Sequence, residues 1–114
     1  MSSEIVEFLR ARYDELEAKA QATVPGPWHV ARNGLDVHAE DLVVVENFDE
    51  PGPWLRALPE HIVANDPQFV LADLAAKRLL LDLHKKCAAQ CYVVRVLAAP
   101  FTGHPEFRDE WRVM

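Results

Sequence analysis

The feature that most constrains this chain is an almost unbroken apolar run that follows Asp66-Pro67 and stops before Pro100. Aspartate is a preferred helix cap, and proline is tolerated at the first helical position because the amide there has no partner inside the helix. The run therefore predicts one long buried helix over Asp66 to Ala98. A continuous helix of that length would extend for about 50 Å, which is more than the width of a domain of this size. We therefore expect either a kink between His84 and Gln90 or an end that protrudes into a partner.

The predicted helix carries two apolar stripes when its residues are plotted at 100° per residue. The first stripe consists of Val70, Leu74, Leu81, Ala88 and Tyr92. The second stripe consists of Leu80, Leu83, Cys87, Val94 and Ala98. One stripe is enough to pack a helix onto its own core. We therefore interpret the second stripe as a surface that is available to a second copy of the chain.

The N-terminal segment predicts an amphipathic helix over Ser3 to Gln21, with Ser2-Ser3 as its cap. Apolar residues recur there at spacings of three and four, and they are Ile5, Leu9, Tyr13, Leu16 and Ala20. The segment Val24-Pro25-Gly26-Pro27 ends this helix, because proline removes a backbone donor and favours an extended predecessor.

The period changes to two after Trp28, which predicts strands. Asn33-Gly34 lies between two such stretches and is the dipeptide best suited to a tight hairpin turn. The valine-rich stretch from Leu42 to Asn47 predicts a third strand, so Trp28 to Asn47 should form a three-stranded antiparallel meander. The segment from Asp49 to Pro59 is predicted to be a loop, followed by a short helix over Pro59 to Ala64.

The C-terminal segment places Phe101, Phe107 and Trp111 in otherwise polar sequence. We expect it to be ordered, with one helical turn that begins at Pro105 and covers the core as a lid. The whole chain, residues 1–114, is then a single α+β domain. It consists of an N-terminal helix, a three-stranded antiparallel meander, a long central helix and a short C-terminal aromatic tail.

Charge and composition exclude several classes of function. The 18 acidic and 12 basic residues give a net charge of -6, which argues against phosphate-driven binding of nucleic acid. The apolar stretch from Leu79 to Ala98 contains Asp82, Lys85, Lys86 and Arg95, which are costly in hydrocarbon, so we expect no membrane span. The two cysteines do not make a disulfide framework, and reduced thiols are typical of a cytoplasmic protein.

His84, Cys87 and Cys91 are the one sequence cluster with the chemistry of a metal site. On a continuous helix His84 and Cys91 are about 10.5 Å apart along the axis, which is too far for both to bind one ion. Cys87 and Cys91 could still share an ion if His61, His104 or a second subunit completed the site. The commoner interpretation of such cysteines is that of small buried hydrophobic residues, so we predict no metal and no cofactor. A structural zinc module that uses Cys87 and Cys91 remains the alternative.

No group of residues predicts catalysis. Burial in the middle of a helix would raise the pKa of either cysteine and weaken it as a nucleophile. Asn65 and Asp66 are explained by a turn and a helix cap, and His61 and His104 belong to no catalytic motif. We therefore predict that the protein is not an enzyme and has no catalytic residue.

The order of short motifs along the chain resembles that of a known family. The motifs are Phe8-Leu9-Arg10-Ala11-Arg12, Pro25-Gly26-Pro27-Trp28, His61-Ile62, Asp66-Pro67, Val70-Leu71, Lys77-Arg78, Leu83-His84, Ala99-Pro100-Phe101, His104-Pro105, Phe107-Arg108 and Glu110-Trp111-Arg112. Over nearly its whole length the chain resembles small actinobacterial and actinophage proteins of unknown function. Its central part is similar, more loosely, to early accessory proteins of lambda-like phages. Many relatives carry a longer cysteine-containing insert where this chain has only Lys85 to Gln90, which implies a metal role more strongly for them than for this chain.

These observations lead to one functional expectation. We expect a cytoplasmic, non-enzymatic accessory protein of a phage or prophage that binds an unknown host or phage protein. We also expect a homodimer that forms through the second apolar stripe.

Overall fold

The computed structural model describes residues 3–46, 54 and 57–113. The elements are α1 (Glu4–Ala22), β1 (His29–Val30), β2 (Val37–Ala39), β3 (Leu42–Val45), α2 (Ala57–Ala64), α3 (Pro67–His84) and α4 (Tyr92–Ala98), with short 3-10 turns at Ala88–Gln90, Ala99–Phe101 and Asp109–Trp111. The predicted α+β class, with an N-terminal helix and a three-stranded antiparallel sheet, is confirmed. The chain divides into two compact units, residues 17–72 and residues 1–16 together with 73–114.

The unit of residues 17–72 contains the sheet, in the order β1-β2-β3. His29 pairs with His38 across β1 and β2, and their rings lie 6.0 Å apart between centroids. A bulge between Val37 and His38 shifts the register of β2 against β3. Helix α2 packs against β1 and β2, and Val37, Ala39 and Pro59 are buried in this unit.

The connection between β1 and β2 is wider than the two-residue turn that Asn33-Gly34 predicts. The Asn33 side-chain oxygen accepts hydrogen bonds from the amides of Leu35, at 2.9 Å, and Asp36, at 3.1 Å. Gly34 has a φ of +75°, which glycine adopts without steric cost. The asparagine therefore organises a longer loop by capping it from inside. The third strand ends at Val45. The end of its predicted range, Asn47, lies outside the described residues, and so do residues 49–53, 55 and 56 of the predicted loop.

Asp66 has two structural roles in this unit. Its Oδ1 accepts a hydrogen bond from the amide of Phe69 at 2.9 Å and caps α3, as predicted. Its Oδ2 accepts a hydrogen bond from the amide of Trp28 at 3.1 Å. A Cβ atom at Gly26 would lie 3.0 Å from the same Oδ2, so this approach favours glycine. One buried carboxylate thus fixes both the helix start and the Pro-Gly-Pro-Trp segment.

The unit formed by residues 1–16 and 73–114 has its core on one face of α1. The buried residues are Ile5, Val6, Phe8, Leu9 and Tyr13 of α1, Leu74 and Leu81 of α3, Val94 and Ala98 of α4, and Trp111. Ile5, Leu9 and Tyr13 confirm the predicted three-four spacing, and Val6 and Phe8 widen the buried face beyond it. Leu16 of the predicted stripe is instead 36 % exposed. The Ser3 hydroxyl accepts a hydrogen bond from the amide of Val6 at 3.3 Å, so the predicted serine cap is confirmed for Ser3.

The C-terminal segment packs on this core through aromatic contacts. The Phe8 ring lies 6.1 Å from Phe101, 5.4 Å from His104, 6.1 Å from Phe107 and 5.2 Å from Trp111, measured between ring centroids. The helical turn lies at Asp109–Trp111 and not directly after Pro105. The predicted aromatic lid is therefore present, with a different local conformation at its start.

The guanidinium of Arg12 on α1 binds the C-terminal segment through an ion pair and a hydrogen bond. It lies 2.9 Å from Glu15 and 3.3 Å from Glu106, 3.2 Å from Nδ1 of His104, and above the Phe8 ring at 4.9 Å. Burial alone would lower the pKa of Arg12, but the hydrogen bonds and charges of the two glutamates outweigh it and raise that pKa. The cation is therefore both buried and compensated, which is the condition under which a buried charge is tolerated.

The helix that the sequence predicts over Asp66 to Ala98 is not continuous. Helix α3 ends at His84, a turn and a 3-10 segment follow, and α4 begins at Tyr92. The interruption falls where the length argument allows a kink. Ala88 has a φ of +49° there, so the backbone leaves the right-handed helical region within the predicted range.

We predict that Asp66→Ala lowers the free energy of unfolding by about 2 kcal/mol. Loss of the helix cap costs about 1 kcal/mol, and the unpaired amide of Trp28 adds a similar amount. Asp66→Asn keeps one acceptor oxygen and should lose about half as much. Urea unfolding of the three proteins measures the series. Equal stability of all three proteins would show that neither hydrogen bond of Asp66 stabilises the fold.

We also predict a loss of stability at alkaline pH that depends on Tyr13. Its phenol oxygen is buried without a hydrogen-bond partner among the described residues. Burial, and to a lesser degree the charge of Asp73, raises the pKa of Tyr13 to about 12, against a smaller opposing effect of Arg78. The folded state then holds this proton more tightly than the unfolded state. Its contribution is complete below about pH 10 and is lost between about pH 10 and 12, by roughly 2 to 3 kcal/mol in total.

The variant Tyr13→Phe should remove this part of the alkaline loss, because it has no phenol to ionise and breaks no hydrogen bond. Tyr92→Phe is the matched control, since Tyr92 is 57 % exposed. Unfolding by urea at pH 9, 10.5 and 11.5 compares the three proteins. Identical pH profiles for the wild type and Tyr13→Phe would exclude Tyr13 as the source.

Candidate metal centre and outer helix face

The interruption of the helix brings together the three residues with metal-ligand chemistry. His84 is the last residue of α3, Cys87 lies in the turn, and Cys91 directly precedes α4. Their ligand atoms all lie within 4.8 Å of one another. The Cys91 Sγ is 3.6 Å from the His84 Nδ1. The separation of about 10.5 Å expected for a continuous helix therefore does not apply.

Successive tight turns produce this arrangement. The amide of Cys87 donates to the carbonyl of His84 at 3.2 Å, the amide of Gln90 to the carbonyl of Cys87 at 3.0 Å, and the amide of Cys91 to the carbonyl of Ala88 at 3.0 Å. Ala88, with its positive φ, turns the chain back between the two cysteines. A non-glycine residue in this conformation costs on the order of 1 kcal/mol, which the surrounding hydrogen bonds must offset.

The spacing of the ligand atoms is close to that of a tetrahedral zinc site. Zinc binds thiolate sulfur at about 2.3 Å and imidazole nitrogen at about 2.0 to 2.1 Å, so neighbouring ligand atoms lie about 3.5 to 3.8 Å apart. The contact between Cys91 and His84 is already in this range. The largest separation in the cluster, at most 4.8 Å, requires a movement of about 1 Å by a side chain.

The two thiols are accessible, contrary to the prediction that they are buried hydrophobic residues. Cys87 is exposed and Cys91 is partly exposed. The neighbouring Cys87 thiol and the amide of Val94 lower the pKa of Cys91 against the opposing effect of burial, and the amide of Val93 and the charge of Arg95 act in the same direction. The neighbouring Cys91 raises the pKa of Cys87. The prediction that the pKa of either cysteine is raised is therefore wrong for Cys91.

A cavity of about 400 Å³ borders the cluster on the side of Cys87. Its lining includes Ser3, Glu4, Lys86, Cys87, Gln90 and Glu110. Solvent can therefore approach the exposed cysteine from this side, past a lining that mixes these polar side chains with Ile5 and Trp111.

The other histidines considered in the sequence have different surroundings. The Nδ1 of His104 faces two donors, the guanidinium of Arg12 at 3.2 Å and the amide of Glu106 at 3.0 Å. His104 is therefore a hydrogen-bond acceptor at Nδ1. His61 is exposed on α2, and its carbonyl accepts a hydrogen bond from the side chain of Asn65 at 2.9 Å. His104 thus has a structural role in the aromatic lid.

A second candidate site is the outer face of α3, defined here as Ala76, Leu79, Leu80 and Leu83. The three leucines are exposed by 63 %, 38 % and 71 %, respectively, and Ala76 is exposed as well. On the opposite side of the helix Leu74 and Leu81 are buried. The predicted second stripe is therefore divided, because Leu80 and Leu83 are exposed whereas its continuation on α4 is buried.

Leu79 belongs to neither of the two predicted stripes. The signal that identifies this residue is the alternation of three and four that joins Ala76, Leu79 and Leu83. In the sequence the same alternation extends back to Ala72 and Phe69. Such spacing is typical of a seam between two helices.

Among the helices in the described part of the chain, none is both long and apolar enough to cross a bilayer.

Fold and site together define a small α+β protein with a His-Cys-Cys cluster at the junction of two helices. The chain belongs to a family of unknown function (DUF6221), whose family model matches residues 2–113. This confirms the expectation of a family of unknown function that spans nearly the whole chain. The comparison with curated proteins finds no match, and the comparison with solved structures finds none either.

We predict that Ala88→Gly raises the free energy of unfolding by about 0.5 to 1 kcal/mol, because glycine adopts a positive φ without the cost that alanine bears. Ala89→Gly is the matched control in the same segment. It should lower stability by a similar amount, since the backbone at Ala89 has no positive φ and glycine gains entropy in the unfolded chain. Chemical denaturation compares the two variants. An equal loss of stability in the two variants would contradict the positive φ of Ala88.

Proposed function

We propose that this protein is a non-enzymatic protein-binding module that forms a homodimer through the outer face of α3. The observation that carries the proposal is the exposure of Leu79, Leu80 and Leu83 on one face of the helix. Adjacent exposed leucines of this kind favour an interface more than isolated ones do, since single exposed apolar residues are common on any surface.

The spacing of this face supports a second copy of the same chain as its occupant. A seam with three-four spacing pairs with another helix of matching spacing, and α3 of a second copy carries the same seam. A two-fold axis placed across the face brings Leu79 and Leu83 of one protomer against the same surface of its partner. The pairing is thus self-complementary, as an isologous dimer requires.

The proposed role is that of an accessory protein of a phage or prophage, acting in the cytoplasm on a host or phage protein. It is supported by the resemblance of the sequence motifs, and family membership is compatible with it. A catalytic role is disfavoured because His104 is engaged with Arg12 and Glu106. The thiol of Cys91 and the imidazole of His84 are close enough to act as a pair, but the second thiol beside them favours metal binding over nucleophilic catalysis.

We predict that the purified protein is dimeric at concentrations of tens to hundreds of micromolar. The double variant Leu79→Glu/Leu83→Glu should be monomeric over this range, because it places charges in the seam. Its stability as a monomer should change little, since both side chains are exposed. Sedimentation equilibrium of both proteins from about 5 to 500 µM measures the effect.

Leu42→Glu is the matched control for this experiment. Leu42 lies on β3 and is exposed by 63 %, the same fraction as Leu79. This variant should remain a dimer. A wild-type protein that stays monomeric at the highest concentration would exclude the dimer, and a dimer that survives the double variant would exclude the outer face of α3 as its interface.

A further inference from the structure

We propose that His84, Cys87 and Cys91 bind one Zn²⁺ ion, with water as the fourth ligand. The inference is independent of the proposed dimer, because all three side chains belong to one chain. Their ligand atoms lie within 4.8 Å of one another, and they are contributed by the end of α3, the turn after it and the residue before α4. Three donors thus converge from a segment of eight residues, His84 to Cys91.

The donor set favours zinc over other common ions. One imidazole nitrogen and two sulfurs suit a borderline-soft ion and are poor ligands for Ca²⁺ and Mg²⁺, which take oxygen. Protein sites with two cysteines, one histidine and a water are an established type of zinc coordination.

The surroundings of each donor allow the site to close without a change in the fold. Cys91 Sγ and His84 Nδ1 are already at the distance that a tetrahedral ion requires. Cys87 Sγ lies 3.2 Å from the carbonyl oxygen of His84, to which its thiol donates. When Cys87 binds the ion as a thiolate, it gives up this proton to solvent and turns away from the carbonyl. Its exposure leaves room for that rotation.

Solvent has access to the proposed site, because Cys87 is exposed and lines a cavity and Cys91 is partly exposed. Water occupies the fourth position in the proposed site. The ion would join the end of α3 to the start of α4, and its binding free energy would stabilise the folded state by linkage.

The experiment is a titration of the reduced, metal-free full-length protein with ZnCl₂ in competition with a chromophoric chelator. We expect one zinc per chain, with a Kd of about 100 nM or tighter. Co²⁺ in place of Zn²⁺ should give a near-ultraviolet thiolate charge-transfer band and the intense visible bands of a tetrahedral site. Zinc should also protect both thiols from alkylation.

Three variants and one control identify the ligands. Cys87→Ser, Cys91→Ser and His84→Gln should each weaken zinc binding at least 100-fold, while circular dichroism confirms that the variants fold. His61→Gln, which removes an exposed histidine on α2, should bind zinc like the wild type. The outer-face variant Leu79→Glu/Leu83→Glu should also retain zinc, since one chain supplies all three ligands.

Several outcomes would overturn the proposal. These are a Kd weaker than about 10 µM, a stoichiometry well below one, unchanged affinity in the ligand variants, or thiols that remain reactive with excess zinc. Loss of zinc binding in the folded outer-face variant would also overturn it, because the site would then depend on a second chain. Failure of the dimer experiment alone leaves this result unaffected, so the two proposals stand or fall separately.

Discussion

The end of α3 at His84 is the constraint on which the unit of residues 1–16 and 73–114 depends. The amide of Cys87 bonds to the carbonyl of His84 at 3.2 Å, and Ala88 then reverses the chain with a φ of +49°. A helix that continued through this point would carry the residues of α4 away along its axis. The interruption instead allows Val94 and Ala98 to be fully buried in the same unit as Leu74 and Leu81.

The contacts of Arg12 hold the C-terminal segment of this unit against α1. Its guanidinium contacts Glu106 and His104, which are far from it in sequence, and stacks over Phe8. A buried cation is costly unless it is paired, and here the pairing requires the C-terminal segment to lie against α1. Burial of Trp111 and pairing of the Arg12 charge with Glu106 therefore both favour the same position of the C-terminal segment on α1.

The parts of the fold that sequence predicts are those with local causes. The α1 stripe follows from its three-four spacing, and the α3 cap follows from the chemistry of Asp66. The interruption after His84 has no such signal, because neither glycine nor proline lies between Lys85 and Cys91, and alanine rarely adopts a positive φ. The proximity of the three metal-ligand side chains has no sequence signal for the same reason, since it depends on the interruption. Asn33-Gly34 likewise predicted a turn correctly, but the side chain of Asn33 stabilises a longer loop.

The two proposed sites meet at the C-terminal end of α3. Leu83, the most exposed leucine of the outer face, is the neighbour of His84. The last turn of a helix has fewer partners within the helix for its carbonyl groups and frays more readily than the interior. A zinc ion held by His84 and two cysteines beyond the helix would restrict that fraying and hold Leu83 in its helical position.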